Sequence, residues 1–373
     1  MKKYSLIKPF IACAIGVAII CFSCSKSGGK DDNTTHQPDS TLIDLANNII
    51  IPSYQQLSTT TATFDSKVTV FVANPTTATL SDLRNAFKDA YKSWEACSEF
   101  EFGPAADASL TTHFTNAFPA DTAIIINNIN GSTYAIDGIG NFAAQGFPAF
   151  DYLLYGYGTN GVLARFTTDA HAAGARAYLA ALSASLKTKA AKVLNTWSLS
   201  GDKYVNKFIT ATGVDAGSSL SLLVNAYVRD FDITLQNFKI GIPIGLYGPN
   251  ILPKSPTKVE AYYSGLSVQL LQAQMDAYKN IYSGGSGKGL SYKVAATHAQ
   301  KNGGTLDDAI RNQINVLIAK IQALPDPLST GVENNSSAIN DAYTEVRKLT
   351  VLLKVDMCSA LGVRISFQDD DGD

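Results

Sequence analysis

Apolar side chains recur three or four residues apart from about residue 41 to residue 360, and this helical period constrains the fold more than any other feature. Leu83, Phe87, Ala90, Tyr91, Trp94 and Cys97 form one stripe, with Ser81 as its capping candidate. Tyr178, Leu182, Leu186, Val193 and Trp197 form a second, and Leu220, Val224, Tyr227, Phe231, Leu235 and Phe238 a third. A fourth runs Leu266, Leu270, Ala273, Ala277, Ile281, and a fifth Leu306, Ile310, Ile314, Leu317, Ile321. The last runs from Ile339 through Val346 and Leu353 to Ala360 and stops at Gly362. Alternation of the strand type is confined to residues 67–72 and 363–367, where it is ambiguous. The pattern predicts an all-α protein packed as helical bundles.

A weak internal repeat suggests how those helices are grouped. An aromatic helix ends in Glu99-Phe100-Glu101-Phe102-Gly103-Pro104, and a second apolar helix ends in Phe238-Lys239-Ile240-Gly241-Ile242-Pro243. We read two related four-helix-bundle-like domains, residues 41–205 and 206–373, from an internal duplication. The length suits two domains.

The first residues speak to compartment. Lys2, Lys3 and Lys8 precede an apolar run, and Ser23-Cys24 is a small residue before cysteine. This reads as a signal peptide over residues 1–23, with Cys24 as the acylated residue of a lipoprotein. Residues 24–40 have little to bury and read as a flexible tether. Loss of the three leader lysines leaves a mature net charge of −5, which argues against a nucleic-acid partner. Cys97 and Cys358, the only cysteines past the tether, are either one disulfide or two buried thiols.

Several acids are candidates for chemistry. In the run Gly146-Phe147-Pro148-Ala149-Phe150-Asp151-Tyr152, Asp151 lies one helical turn beyond Pro148 and is either a ligand-binding carboxylate or half of a salt bridge. Glu99 and Glu101 are either a solvated helix end or, with Asp151, an oxygen-rich site for calcium or iron. Glu260, Tyr263 and Ser264 are read at the start of a helix, where backbone donors favour anions. Arg229, on the polar side of an apolar helix, is a partner candidate for Asp151 or Glu260. Gly284-Gly285-Ser286-Gly287-Lys288-Gly289 lacks the spacing and context of a phosphate loop and reads as a mobile connector. Asp369-Asp370-Asp371-Gly372-Asp373 ends before a calcium loop would be complete.

Five segments together resemble the imelysin-like lipoproteins: the Gly146 run, Trp94 to Pro104, Phe238 to Gly245, Lys258 to Gly265, and Ser359 to Asp373. Members of that family usually read Gly-x-His-x-x-Glu where this chain has Gly146, Pro148 and Asp151. The resemblance implies two helical bundles, a site between or beside them, an envelope location and an association with iron acquisition. The peptidase label once attached to the family finds no His-Glu-x-x-His here. The expectation is a non-enzymatic, outer-membrane-anchored binding lipoprotein. Its site would draw on Trp94 as a wall, on Glu101, Asp151, Glu260 and Ser264 as binding groups, and on Arg229 holding the acids. Asp151 and Glu101 are the candidates for holding an iron or calcium ion, and a transport or receptor protein of the envelope is the expected partner. Lys30-Asp31-Asp32 resembles the export signals of surface lipoproteins in Bacteroidetes. Two alternatives remain: a structural or partner-binding protein whose metal site has decayed, and a metal-dependent hydrolase.

Overall fold

A computed structural model describes residues 37–131, 134–247 and 250–367. The leader, Cys24, residues 25–36 and residues 369–373 therefore lie outside the described residues. Those from 37 onward pack as one compact unit. It is helical nearly throughout, as the apolar period requires, with two short hairpins, β1–β2 (Leu246–Tyr247, Asn250–Ile251) and β3–β4 (Gln300–Lys301, Gly304–Thr305). Among the described residues no helix is long and apolar enough to cross a membrane.

In the first half, α1 (Ile51–Ala73) packs on α2 (Thr77–Glu95) and on α4 (Ala172–Trp197), with the short α3 (Gly146–Tyr155) laid against α2 and α4. The stripes explain the contact surfaces: Leu83, Phe87, Tyr91 and Trp94 are buried, as are Tyr178, Leu182 and Trp197. In the second half, α5 (Ser219–Arg229) runs on as a π-helix over Asp230–Gly241, and α6 (Ser267–Ser283), α7 (Leu306–Gln322) and α8 (Ser337–Thr350) pack in succession. Contacts between α2 and α6 join the halves.

Four local expectations are corrected. Thr76, not Ser81, caps α2: its hydroxyl accepts the Thr79 amide while Thr79 reaches back, a reciprocal box. Residues 67–72 are helical, and 363–367 form no strand. Asp39, placed in the tether, caps helix Ser40–Leu45 and pairs with Lys293, so the fold begins a few residues earlier than read. The Gly284–Gly289 connector is tied down, because the Lys288 amide donates to Asp44 at 2.9 Å and its ammonium to Ser40 at 3.0 Å. Gly362 does end the last helix in the left-handed region, at φ 67°.

Candidate functional site

Aromatic packing sets the position of α3. Phe147 stacks on Tyr91 with centroids 4.3 Å apart, and Phe150 meets Phe64 edge-on at 4.8 Å. Three residues apart, these two rings share the helical face that enters the core. Pro148 sits in the first turn, where its missing N–H leaves no bond unmade. Gly146 opens the helix at φ +65°, and a Cβ there would lie 2.1 Å from the Thr115 carbonyl oxygen, so only glycine fits. At the other end Arg84 donates twice to the Leu154 carbonyl, at 2.9 and 2.6 Å, closing the terminus.

Asp151, thus placed, reaches across to the second half of the chain. Its carboxylate accepts the Tyr263 amide at 2.8 Å and the Ser264 amide at 3.0 Å. It is 2% exposed, and burial raises its pKa to about 6 despite those hydrogen bonds. Above it lies a pocket of about 210 Å³, lined from the first half by Phe118, Pro119, Pro148 and Asp151 and from the second by Ala261, Tyr262 and Tyr263 among others. The chain here is a tight turn with Ala261 at φ +50°, a conformation that costs an alanine roughly 1–2 kcal/mol. Residues 260–264 thus precede the helix, which begins at Ser267, and the backbone donors expected of a helix start face a protein carboxylate.

Behind the pocket lies a sealed polar cluster. Lys239, 1% exposed, donates to Glu95 at 2.5 Å and pairs with Glu260 at 3.0 Å. The Asn116 amide donates to Glu260 at 2.6 Å, and the Tyr91 hydroxyl donates to Asn116 at 2.6 Å. Asp230 accepts from Ser98, Gln274 and Tyr278 at 3.2, 2.9 and 2.5 Å. Glu99 is fully buried, with neither carboxyl oxygen bonded to another residue. Four buried acids therefore share one buried base. Burial opposes the Lys239 charge, but Glu260 and Glu95 more than offset it, so the ammonium is held well above its usual pKa. Burial first and Asp230 second drive the Glu99 carboxyl well above the ordinary range. A partnerless charge at such a site would cost several kcal/mol, so Glu99 keeps its proton.

Of the residues selected from sequence, Asp151, Glu260 and Ser264 come together here. The others do not. Trp94 is core: its ring lies 6.4 Å from that of Phe147 and walls no part of the pocket. Arg229 partners neither Asp151 nor Glu260 but Glu101, at 2.9 Å. Glu101 also accepts the Thr112 amide, and it lines a separate pocket of about 170 Å³ with Asn225, Arg229 and Phe367. Cys97 and Cys358 are buried free thiols. Sequence reasoning missed Lys239, Glu95, Asn116 and Asp230. The one available signal was a lysine inside the apolar run Phe238-Lys239-Ile240.

The family model for imelysin (Peptidase_M75) matches residues 50–353, most of the chain. The chain belongs to the imelysin family. An imelysin-like protein from Psychrobacter arcticum 273-4 is similar in structure, with TM-score 0.66, 19% identity, and coverage of 87% of this chain and 96% of that one. So is an inferred iron-regulated protein A precursor from Parabacteroides distasonis ATCC 8503, with TM-score 0.68, 19% identity, and coverage of 86% and 94%. No curated protein matches.

In this imelysin-family chain the donor set does not fit the iron or calcium ion that the family motif implies. Pro148 supplies no side-chain ligand, Asp151 is the one carboxylate lining the pocket, and the Lys239 ammonium occupies the place among the other acids that a cation would need. Among the described residues no three His, Cys, Asp or Glu side chains are placed to hold a metal.

Proposed function

We propose that this chain is a non-catalytic binding protein, anchored to the outer membrane through lipid on Cys24, which serves iron-related nutrient acquisition by binding a ligand other than a bare metal ion. The observation that carries the reading is the pocket over Asp151, walled by both halves of the chain and floored by a buried carboxylate. The iron connection rests on family membership and on the description of the Parabacteroides protein. A hydrolase needs an ion held by several ligands with an open position for water. The acids here are committed instead to Lys239 and to backbone amides.

The mature protein, purified with its lipid, provides the test. Mass spectrometry should find metal well below one equivalent after incubation with iron, calcium or zinc. A strain lacking the gene should grow more slowly under iron limitation, and a Cys24→Ala copy should restore less growth than the wild type. One equivalent of metal, lost in Asp151→Ala, overturns the ligand assignment. Normal growth of the deletion strain without iron overturns the physiological one.

A further inference from the structure

We infer that the pocket over Asp151 binds a small organic ammonium ion, a reading that rests on the ligand-binding role proposed above. Asp151 is the only charged side chain lining the pocket, and the rest of the lining is aromatic, proline, small aliphatic or threonine. No lysine or arginine among the described residues forms an ion pair with Asp151, although it is buried. The charge that acts on it most is the carboxylate of Glu260, which is repulsive. A carboxylate has about four acceptor positions; the amides of Tyr263 and Ser264 use two of them and the Ser264 side chain a further one. What is left suits an N–H of an ammonium.

The walls complete the argument. Tyr262 and Tyr263 are half-buried with centroids 5.2 Å apart and ring planes at 74°, and Tyr152 packs against Tyr263 at 5.2 Å. Both Tyr262 and Tyr263 line the pocket, and a cation over the face of such a ring gains roughly 0.5–2 kcal/mol. Apolar walls do nothing for a hydrated metal ion. An anion would meet Asp151 unfavourably, and a neutral molecule would leave its charge uncompensated. A volume of about 210 Å³ restricts the guest to an ammonium with a short tail.

Isothermal titration of the full mature chain separates the possibilities. The probes are n-butylammonium and n-propylammonium, their uncharged isosteres n-butanol and n-propanol, and butyrate. At pH 8 the two cations should bind at least tenfold more tightly than the isosteres, and butyrate should not bind. Between pH 8 and pH 5 the preference should fall about tenfold, because Asp151 takes up a proton near pH 6. Asp151→Asn should abolish the preference. Because that variant also touches a structural contact, Tyr262→Leu serves as a second one, expected to weaken the cations several-fold with unchanged thermal unfolding. Equal binding of cations and isosteres would refute the ammonium while leaving a ligand pocket in place. Absence of binding by every organic probe would refute the ammonium, and one equivalent of tightly bound iron in the same protein would refute the ligand-binding role as well.

Discussion

Asp151 and Glu260 are almost equally hidden, at 2% and 1% exposure, yet they are satisfied in opposite ways. Glu260 is paired on both oxygens: Lys239 supplies charge to one, Asn116 supplies a donor to the other, and Tyr91 orients Asn116. Asp151 has only uncharged partners, the Tyr263 and Ser264 amides and the Ser264 side chain, and it lines a pocket. The first arrangement leaves nothing for a ligand to improve. The second leaves an acid whose charge is incompletely compensated, so its protonation can respond to what enters. Burial alone does not mark a binding site; the absence of a paired cation beside open space does.

The comparison predicts that the sealed cluster dominates stability. Lys239→Met removes the only base among Glu95, Glu260 and Asp230, and leaving buried acids unpaired costs about 3–5 kcal/mol. Urea unfolding at pH 8 should show that loss. At pH 5 it should shrink, because burial already pushes the Glu95 carboxyl well above its usual range and the orphaned group then takes up a proton. A loss under about 1 kcal/mol at pH 8 would mean that Lys239 is not the counter-charge.

Asp151 should give a smaller, pH-shaped effect. Its pKa is raised from 3.8 to about 6, so the folded state binds the proton more tightly than the unfolded chain. The stabilisation is complete below about pH 4 and is lost as pH rises through about 6, a swing on the order of 3 kcal/mol. Asp151→Asn has no such proton. Its unfolding free energy relative to the wild type should therefore improve by up to that amount between pH 4 and pH 7, measured by urea titration at each pH. Parallel curves would place the Asp151 charge in water and erase the contrast with Glu260.

Glu99→Gln sharpens the comparison from within the sealed cluster. A carboxyl that stays protonated is already neutral, so exchange for an amide of similar shape should cost less than about 1.5 kcal/mol at pH 7 by urea unfolding. A loss as large as that of Lys239→Met would show that Glu99 is ionised and adds its negative charge to the cluster.

The helices were legible because burial of a stripe repeats every three or four residues, and Leu306, Ile310, Ile314, Leu317 and Ile321 are all buried as read. The third stripe was legible only in part. Asp230–Gly241 is π-helical, and its wider turns move the register so that Lys239 and Ile240 face inward while Phe238 is only partly covered. A uniform helical period cannot reveal that shift, and so Lys239 escaped notice. Asp151 and Glu260 stood out as acids in apolar surroundings, but their partners lie 112 and 144 residues away in sequence and follow from tertiary packing alone. Arg229 was misassigned for the same reason: polar spacing on α5 gives a direction, not the identity of what stands opposite.

Arg229 also supplies the smallest test. Its guanidinium is 44% exposed and meets Glu101 at 2.9 Å, so solvent screens the pair and its worth is about 0–1 kcal/mol. Glu101 keeps the Thr112 amide as a donor when the arginine is gone, and burial already favours its protonated form, so no bare charge is stranded. Arg229→Ala should shift the urea midpoint by no more than about a third of the Lys239→Met shift and leave n-butylammonium affinity unchanged. The two variants differ in one respect that matters: Arg229 is a half-exposed cation paired to one glutamate, whereas Lys239 is a buried cation shared by two. A change in ammonium binding on loss of Arg229 would connect the Glu101 pocket to the Asp151 pocket, and the acid at 151 could then no longer be treated as answering to its own pocket alone.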